Sequence, residues 1–260
     1  MSGGPLPLEE DDIEVALGMS MPGLYAMRAK KYMDEYGVSS ETLAKVVVKS
    51  RKHAAQNPIA QFRKETTIEQ VLNDPLIADP LTRSMCCPVG DASAAAVLVD
   101  GDTLKKIKRD TSREPIKVLG CIAQSGGYAS PTGLTCDPSE NVTRTSQMAY
   151  EQAGLGPKDM DVVEIHDAFA IAELIVAEAL GFAKKGEGAR LVEEERSNYD
   201  GEIAINASGG LLSRGHPVGA TGLLQTVEIV NQLRGEATGY QVPDAKIGLI
   251  ETMGGAQPAM

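Results

Sequence analysis

The sequence predicts a layered α/β fold, in which helices cover sheets built from short buried strands. From residue 139 onward, segments with helical periodicity alternate with short apolar segments of strand length. One helix-length segment, 168–180, is apolar on most faces, as expected of a helix buried between layers. No run of 18 or more apolar residues occurs, so no membrane span is predicted. Alternating strands and helices of this kind are typical of layered α/β proteins.

The N-terminal part of the chain is predicted to be mainly helical. The acidic residues 1–18, rich in Pro and Gly, are expected to form a loop. Three helices are predicted, at 20–36, 43–56 and 67–72. Gly37 ends the first helix. Ser39 or Ser40 caps the second, which stops before Asn57-Pro58.

The middle of the chain is predicted to contribute two strands. Residues 85–100 form a turn followed by small apolar residues, the pattern of a buried strand packed under helices. A short charged helix closes at 105–108, and 115–124 is predicted as the second strand. Residues 126–133 are expected to form a loop.

The C-terminal part is predicted to alternate strictly between helices and strands. The expected helices are 139–153, 168–180 and 219–233. The expected strands are 161–165, 202–206 and 246–251. Each strand is followed directly by a loop that contains polar residues or glycine, so the strand ends are the places to look for a site.

Composition and charge exclude several classes of function. The chain is 42% hydrophobic and 23% charged, which is ordinary for a soluble globular protein. A formal charge of -11 argues against a broad nucleic-acid surface. The N-terminus lacks the basic region and apolar core of a secretory signal. The spacing of the four cysteines fits neither a zinc site nor a disulfide scaffold, so free thiols in a reducing cytoplasm are expected. They are Cys86, Cys87, Cys121 and Cys136.

The first stretch that carries chemistry is Glu164 to Phe169, between a predicted strand and a predicted buried helix. Asp167 is placed to cap that helix. The positive end of the helix dipole would keep His166 neutral, and a neutral imidazole donates a hydrogen bond to a developing oxyanion. A histidine that only satisfies a buried carbonyl is the alternative interpretation.

The second stretch is a loop with five glycines over 209–222. Glycines permit positive φ values and a close approach of a ligand to the backbone. Pro217 biases His216 away from helical geometry, so His216 is expected to project from the loop. The loop lacks the lysine of a phosphate-binding P-loop. The candidate ligand-binding glycines are Gly209, Gly210, Gly215 and Gly219.

The third stretch follows the last predicted strand and contains Thr252 and Gly254. A plain glycine turn is its alternative interpretation.

These three stretches, in this order, resemble the thiolase superfamily. They are most similar to the branch of sterol-carrier-protein thiolases and archaeal-type acetyl-CoA acetyltransferases. Residues 166–169 match the common Asn-Glu-Ala-Phe motif with histidine in place of asparagine, and 215–220 matches the catalytic-histidine loop. Residues 87–96 look like the strand that closes the first thiolase half. The resemblance covers nearly the whole chain.

The resemblance implies a layered α/β/α/β/α fold with an incomplete first half. Residues 1–114 would be the remnant of the N-terminal thiolase domain with its loop region, and 115–260 the nearly complete C-terminal domain.

The resemblance also implies roles for individual residues. His216 would be the general base, and His166, with His216 or a water, would stabilise the thioester oxyanion. Ser208 and Gly209 would lie beside the pantetheine arm of a coenzyme A thioester substrate. No covalently bound cofactor and no metal are implied.

The chain departs from the family pattern at the nucleophile. The family nucleophile is a cysteine in the first half, and none of the four cysteines here sits in a matching motif. We therefore expect a separate polypeptide to supply the missing N-terminal half, within a homo- or hetero-oligomer. A truncated gene model without activity is the alternative.

A second departure is Thr252, which stands where common thiolases have a cysteine that moves a proton. A threonine hydroxyl is too weak an acid or base for that step. Relatives that lack this group include C–C lyases of the aldolase type, with a partner subunit that bears an OB-fold and a zinc ribbon. The segment 256–260 is also too short for the strand that usually closes the fold.

The leading functional prediction is a component of a cytoplasmic acyl-CoA acyltransferase of the acetyl-CoA acetyltransferase type, acting in lipid metabolism. The alternatives are an aldolase-type C–C lyase on acyl-CoA, a non-catalytic acyl-CoA or lipid-binding module, and a structural subunit.

Two further sets of residues have both a functional and an ordinary interpretation. The first set forms either an adaptable apolar wall of the acyl pocket or an ordinary helix core; its members are Met19, Met21, Tyr25 and Met27. The second set either attracts the phosphates of coenzyme A or forms an ordinary solvated helix face; its members are Lys49, Arg51, Lys52 and His53.

Overall fold

The structure, a computed structural model, describes residues 20–107, 113–124 and 139–254. The predicted loops at 1–18 and 126–133, and the short segment 256–260, lie outside these residues. Within the described ranges, no helix combines the length and apolar character that crossing a bilayer requires.

Three helices open the described chain, as predicted. They are α1 (Met21–Tyr36), α2 (Ser40–Ala55) and α3 (Ile68–Leu72). Gly37, with a φ of 69°, ends α1 in the left-handed conformation that glycine adopts without steric cost. The side chain of Ser39 accepts a hydrogen bond from the backbone N–H of Thr42 and so caps α2. A short antiparallel hairpin follows α3, formed by β1 (Leu76–Ala78) and β2 (Leu81–Thr82). It was not predicted.

A three-stranded parallel sheet forms the centre of the C-terminal part. Its strands are β3 (Val162–Glu164), β4 (Ala204–Ile205) and β5 (Gly248–Ile250), in the order β4-β3-β5. Val163 pairs with Ile205 on one side and with Leu249 on the other. All three strands were predicted, and each is shorter than expected. Because the strands are parallel, the residues that follow them meet at one edge of the sheet, where parallel sheets bind ligands.

Five further α-helices complete the described chain, and all but the first of them, which has no buried residue, contribute to the core. They are α4 (Gly101–Lys106), α5 (Ser139–Ala153), α6 (Ala170–Ala179), α7 (Gly188–Glu193) and α8 (Thr221–Arg234). Every residue of α6 except Glu178 is buried, which confirms the predicted buried helix. Ile171 and Leu174 of α6 pack with α1 and α2, whereas Val176 packs against the sheet. This helix therefore joins the two main parts of the core.

The two strands predicted in the middle of the chain do not form. Over 91–100 and 115–124 the backbone is assigned to no strand. Val97 is 93% exposed and Leu98 is 79% exposed. A strand needs a neighbour to pair with, and within the described ranges nothing pairs with these segments. The apolar pattern is present, but its partner is not, and the result is an unpaired apolar surface.

Two of the four residues predicted to attract coenzyme A phosphates or to form a solvated face of α2 are buried, whereas Lys52 is exposed. Lys49 is buried and pairs with the buried carboxylate of Glu173 on α6. His53 is fully buried, and its Nδ1 lies 3.0 Å from the backbone carbonyl oxygen of Asn206. Arg51 stacks on the Phe62 ring at 3.8 Å. Both interpretations of this set, coenzyme A attraction and a solvated face, are therefore wrong for Lys49 and His53.

Candidate active site

Two imidazoles meet at the carboxyl edge of the parallel sheet. The ring centroids of His166 and His216 lie 4.9 Å apart, with the rings edge-on at 87°. His166 comes two residues after β3 ends, and His216 lies in the glycine-containing loop before α8. A parallel bridge between Val89 and His216 holds that loop from the other side. The structure thus brings together the two histidines that the sequence predicts as a pair.

Both imidazoles are held in their neutral form. Burial, followed by the proximity of His216, lowers the pKa of His166 to about 3. Burial and then the positive charge of Arg214 lower the pKa of His216. The predicted cause, a helix dipole, is wrong because α6 begins only at Ala170. The neutral form of His166 follows from its burial instead.

Asp167 does not cap α6, which corrects the prediction. Phe169 occupies the N-cap position and makes no side-chain cap hydrogen bond. The backbone N–H of Cys87 donates to the carbonyl oxygen of Ala168 at 2.8 Å, so this carbonyl takes its hydrogen bond from outside the helix. Asp167 instead accepts a hydrogen bond from the backbone N–H of Leu211 at 2.6 Å. It therefore ties the His166 segment to the glycine-containing loop.

Two polar residues that orient the histidines were missed from the sequence. Thr221, the first residue of α8, places its Oγ1 2.7 Å from Nδ1 of His216. Glu251 accepts the backbone N–H of His166 at 2.9 Å. Burial raises the pKa of Glu251 to about 7, although the bond from His166 lowers it. A carboxylate at the end of a predicted strand was the available signal for Glu251; nothing local marks Thr221.

The four candidate ligand-binding glycines of the loop differ in their surroundings, and three of them adopt positive φ values. Gly209 has a φ of 101°, and a Cβ there would lie 2.5 Å from Cβ of Ala54. Gly210 has a φ of 58°, and a Cβ there would collide with the Asp167 carboxyl group. Gly215 is buried with a φ of 119°. Gly219, by contrast, is exposed, and a Cβ there would meet no other described atom within 4 Å, so its surroundings are open.

Ser208 also has a structural partner. Its hydroxyl donates to Oε2 of Glu164 at 2.8 Å, and its backbone N–H approaches Oε1 of the same carboxylate at 3.2 Å. Ser208 is 3% exposed. Its role and the roles of the loop glycines in ligand binding stay predictions.

The segment after β5 lies next to the start of α8. Thr252 and Gly254 are both exposed. A Cβ on Gly222, in the first turn of α8, would lie 3.7 Å from the side chain of Thr252. The third predicted stretch therefore borders the same region as the His216 loop.

The predicted apolar wall divides between core and surface. Tyr25 is buried, and its ring stacks on Phe169 with centroids 4.4 Å apart. Met27 is 38% exposed. Met19 lies outside the described residues.

The thiols nearest the site are not activated as nucleophiles. Burial raises the pKa of Cys86 to about 11 and, together with the electrostatic effects of Asp167 and Cys86, raises that of Cys87 to about 12. The reactive species is the thiolate, so both thiols are almost wholly unreactive at neutral pH. Cys121 is exposed, and Cys136 lies outside the described residues.

A buried group of charges lies behind the two histidines. Nη1 of Arg214 lies 3.6 Å from Oε2 of Glu164. Glu228 of α8 joins them and accepts a hydrogen bond from Nδ2 of Asn57 at 3.3 Å. Burial and the Glu164 charge raise the pKa of Glu228 to about 7, against the opposing effect of Arg214.

Replacing Glu228 with glutamine is expected to stabilise the protein at alkaline pH. In the unfolded chain the pKa of a glutamic acid is about 4.3. Above pH 7, Glu228 is ionised in both states, and because its pKa is higher in the folded state, ionisation there costs more free energy and lowers the stability. The free energy of unfolding of the Glu228→Gln variant should exceed that of the parent by about 1–3 kcal/mol at pH 8, with the gain shrinking towards pH 5. Urea unfolding at both pH values measures this, with the exposed Glu151→Gln as the control. An equal gain at both pH values would contradict the titration.

Comparisons with known proteins point to one family. Residues 133–259 match a family model described as thiolase C-terminal domain-like. The chain is 40% identical over 246 residues to the benzoylsuccinyl-CoA thiolase subunit BbsB of Thauera aromatica, covering 94% of this chain and 63% of that protein. It is also 40% identical to an acetyl-CoA acetyltransferase of Methanothermobacter thermautotrophicus, and the match covers 95% of this chain and 63% of that protein. The chain thus spans less than two-thirds of the length of these relatives.

Solved structures show the same fold. The Ltp2-ChsH2(DUF35) aldolase superposes with a TM-score of 0.80 at 26% identity, covering 95% of this chain and 65% of that chain. The Bacillus anthracis acetyl-CoA acetyltransferase superposes with a TM-score of 0.57 at 20% identity, and the match covers 84% of this chain and 54% of that chain. These matches agree with the α/β fold and partial thiolase domain that the sequence predicts.

Proposed function

This chain belongs to the thiolase superfamily, and from that membership we propose that it is the histidine-bearing part of an acyl-CoA acyltransferase. One observation carries the proposal: two neutral imidazoles lie 4.9 Å apart at the carboxyl edge of a parallel sheet. Neutral imidazoles both donate and accept protons near pH 7, which a thioester carbonyl needs when it is attacked. The substrate is a coenzyme A thioester, and no covalently bound cofactor takes part.

The chemistry assigns a separate task to each histidine. With a hydrogen on Nδ1 of His216 donated to Thr221, its Nε2 is left with the lone pair of a general base. His166 donates a hydrogen bond to the thioester oxygen as negative charge develops there, and one such donor contributes about 3 kcal/mol of barrier lowering. Glu251 orients His166 through its backbone N–H.

The nucleophile comes from a cysteine-bearing thiolase domain outside the described residues. Its thiolate attacks the acyl-CoA, an acyl–sulfur bond forms, and coenzyme A leaves as the thiol after taking up a proton. The α-carbon of a second acyl-CoA then gives up a proton to His216, the general base, and attacks the acyl-cysteine. A C–C bond forms, the acyl–sulfur bond to the cysteine breaks, and 3-oxoacyl-CoA is released with the cysteine thiolate restored. The raised pKa values of Cys86 and Cys87 support this assignment, because neither is a thiolate at neutral pH.

The exposed segments 91–100 and 115–124 are the docking surface for that domain. They have the apolar composition of strands but pair with no strand in the described ranges. Strands offered by the cysteine-bearing domain, on the same or on another polypeptide, would complete them and cover Val97 and Leu98. The segment that leads into this surface contacts the site directly, through the bridge between Val89 and His216.

A second candidate is an aldolase-type C–C lyase acting on a 3-hydroxyacyl-CoA. Thr252 favours it, because a hydroxyl cannot move a proton from an α-carbon near neutral pH. In this reaction a base removes the hydroxyl proton, the C–C bond breaks to leave a carbonyl compound, and the thioester enolate takes up a proton. No covalent cysteine intermediate is needed. The two-component aldolase with a TM-score of 0.80 supports this candidate.

A reconstitution assay tests the proposal. The full chain is combined with a cysteine-bearing thiolase domain encoded beside it, and the release of coenzyme A and 3-oxoacyl-CoA from acetyl-CoA is followed. We expect turnover only in the assembled sample. Cleavage of a 3-hydroxyacyl-CoA without thioester exchange would favour the lyase, and tight acyl-CoA binding without either reaction would favour a non-catalytic module.

The same assay tests the docking surface. Val97→Asp places a charge in the middle of the proposed strand and is expected to reduce association and turnover by at least about tenfold, because burying an unpaired carboxylate costs well over 1.4 kcal/mol. Ile59→Asp, at a position 57% exposed outside both segments, is the control and should leave association unchanged. Equal association of the two variants would place the partner elsewhere.

A further inference from the structure

Each site histidine lies two residues after a buried charged residue. Glu164 precedes His166, and Arg214 precedes His216. The two charged side chains form an ion pair with Nη1 3.6 Å from Oε2, and each is 2% exposed. A direct side-chain link therefore joins the two backbone segments that carry the imidazoles.

Both ends of this link are anchored in the fold. Glu164 is the last residue of β3, where it pairs with Ile250 of β5, and its carboxylate accepts both the N–H and the hydroxyl of Ser208. Arg214 closes a π-helical turn, Gly210–Arg214, and its carbonyl oxygen accepts the N–H of Gln61 at 3.0 Å. The Glu164 carboxylate and the Arg214 backbone are thus each held by groups outside the ion pair, whereas the Arg214 guanidinium has Glu164 as its ion-pair partner.

We propose that Glu164 and Arg214 are a positioning pair, whose ion pair holds His216 against His166. Neither residue needs to contact substrate. An effect of the pair on turnover rests on the proposed function. The effect on the distance between the two imidazoles does not, because it concerns this chain alone.

Stability is a weaker explanation for the pair. A buried ion pair stabilises a fold only when its geometry is good and its remaining hydrogens are bonded. Among the described residues, Nε, Nη1 and Nη2 of Arg214 make no hydrogen bond. An apolar side chain of similar size would serve the core at least as well. What the guanidinium supplies instead is a fixed positive charge behind His216.

Several other charged groups surround the Arg214 guanidinium. Glu164 faces Arg214 from β3, Glu228 faces it from α8, and Lys49 of α2 contributes to the field at Glu164. After burial, Arg214 is the charge that lowers the pKa of His216. Removing it should therefore loosen the histidine pair and raise the pKa of His216.

Nuclear magnetic resonance of the full chain tests this without any substrate. The chain has three histidines, so the ring protons of His166, His216 and His53 are assigned by single substitutions to glutamine. Arg214→Met should weaken the nuclear Overhauser effect between the rings of His166 and His216 and raise the pKa of His216 in a pH titration. Arg214→Lys, which keeps the charge, should stay close to the parent in that titration. Arg190→Met, at an arginine on α7 paired with Glu187, is the matched control.

The outcomes separate the proposal from a general loss of packing. Parent-like spectra and titration for Arg214→Met would overturn it, as would a lysine variant that titrates like the methionine variant. Should Arg214→Met not fold, Glu164→Gln replaces it, because the amide keeps an acceptor for Ser208 but removes the charge. A weakened ring–ring effect in that variant is expected, and an unchanged one overturns the proposal. Weakened ring contacts with parent-like turnover in the assembled enzyme would uphold the pair and count against the proposed function instead.

Discussion

Replacing His216 with alanine is expected to lower kcat/KM of the assembled enzyme by about 10²–10⁴-fold, the contribution of a positioned acid–base group. The imidazole is neutral, lies 4.9 Å from His166 and is oriented at Nδ1 by Thr221. Alanine removes the proton acceptor and leaves the fold intact, because the ring is only partly buried. Steady-state kinetics on the reconstituted enzyme, with melting temperatures as a check on folding, measure the effect.

Two further variants make this test specific. Thr221→Val removes the oxygen that orients His216 and should give a smaller loss than His216→Ala. Val218→Ala, at an exposed position two residues from His216, should behave as the parent. Turnover that survives His216→Ala would contradict both catalytic candidates. It would leave a binding module or a structural subunit as the function of this chain.

Replacing Lys49 with methionine is expected to lower the free energy of unfolding by about 3–5 kcal/mol, the cost of breaking a buried ion pair from one side. Lys49 pairs with Glu173, and its Nζ also lies 3.2 Å from the hydroxyl oxygen of Ser197. Without the lysine, the carboxyl group of Glu173 must either take up a proton or stay charged without a partner in the core. Urea unfolding at pH 7 measures the loss.

A double variant and a surface control bracket this effect. Lys49→Met combined with Glu173→Leu should recover most of the stability, because an apolar pair of similar volume replaces the ion pair without an orphaned charge. Lys105→Met, which breaks the exposed pair with Asp102, should change stability by less than about 1 kcal/mol. A Lys49→Met variant as stable as the Lys105→Met control would show that the buried pair contributes nothing.

Much of the C-terminal part was predictable because its signals are local. The strand at 162–164 and the apolar helix that becomes α6 were predicted from residues a few positions apart. The two histidines were identified in the same way, from a strand end and from a glycine-containing loop with Pro217. Their convergence followed because parallel strands deliver their carboxyl ends to one edge.

The middle of the chain shows the opposite case. The segment 91–100 has the apolar pattern of a buried strand, and Val97 is nevertheless 93% exposed. A β-strand is completed by hydrogen bonds to a neighbour, so its pattern predicts a strand only where that neighbour is present.

By itself, the sequence determined the α/β class, the buried helix, the strand ends and the two histidines, one after a strand and one in a glycine-containing loop. The tertiary structure alone decided which groups surround those histidines: Asp167 binds Leu211 rather than α6, Glu251 holds His166, and Arg214 reaches Glu164. The physical reason is the range of the interactions. Helix periodicity and turn chemistry act between residues close in sequence, whereas a buried carboxylate or guanidinium takes its partner from whatever the folded backbone brings near it.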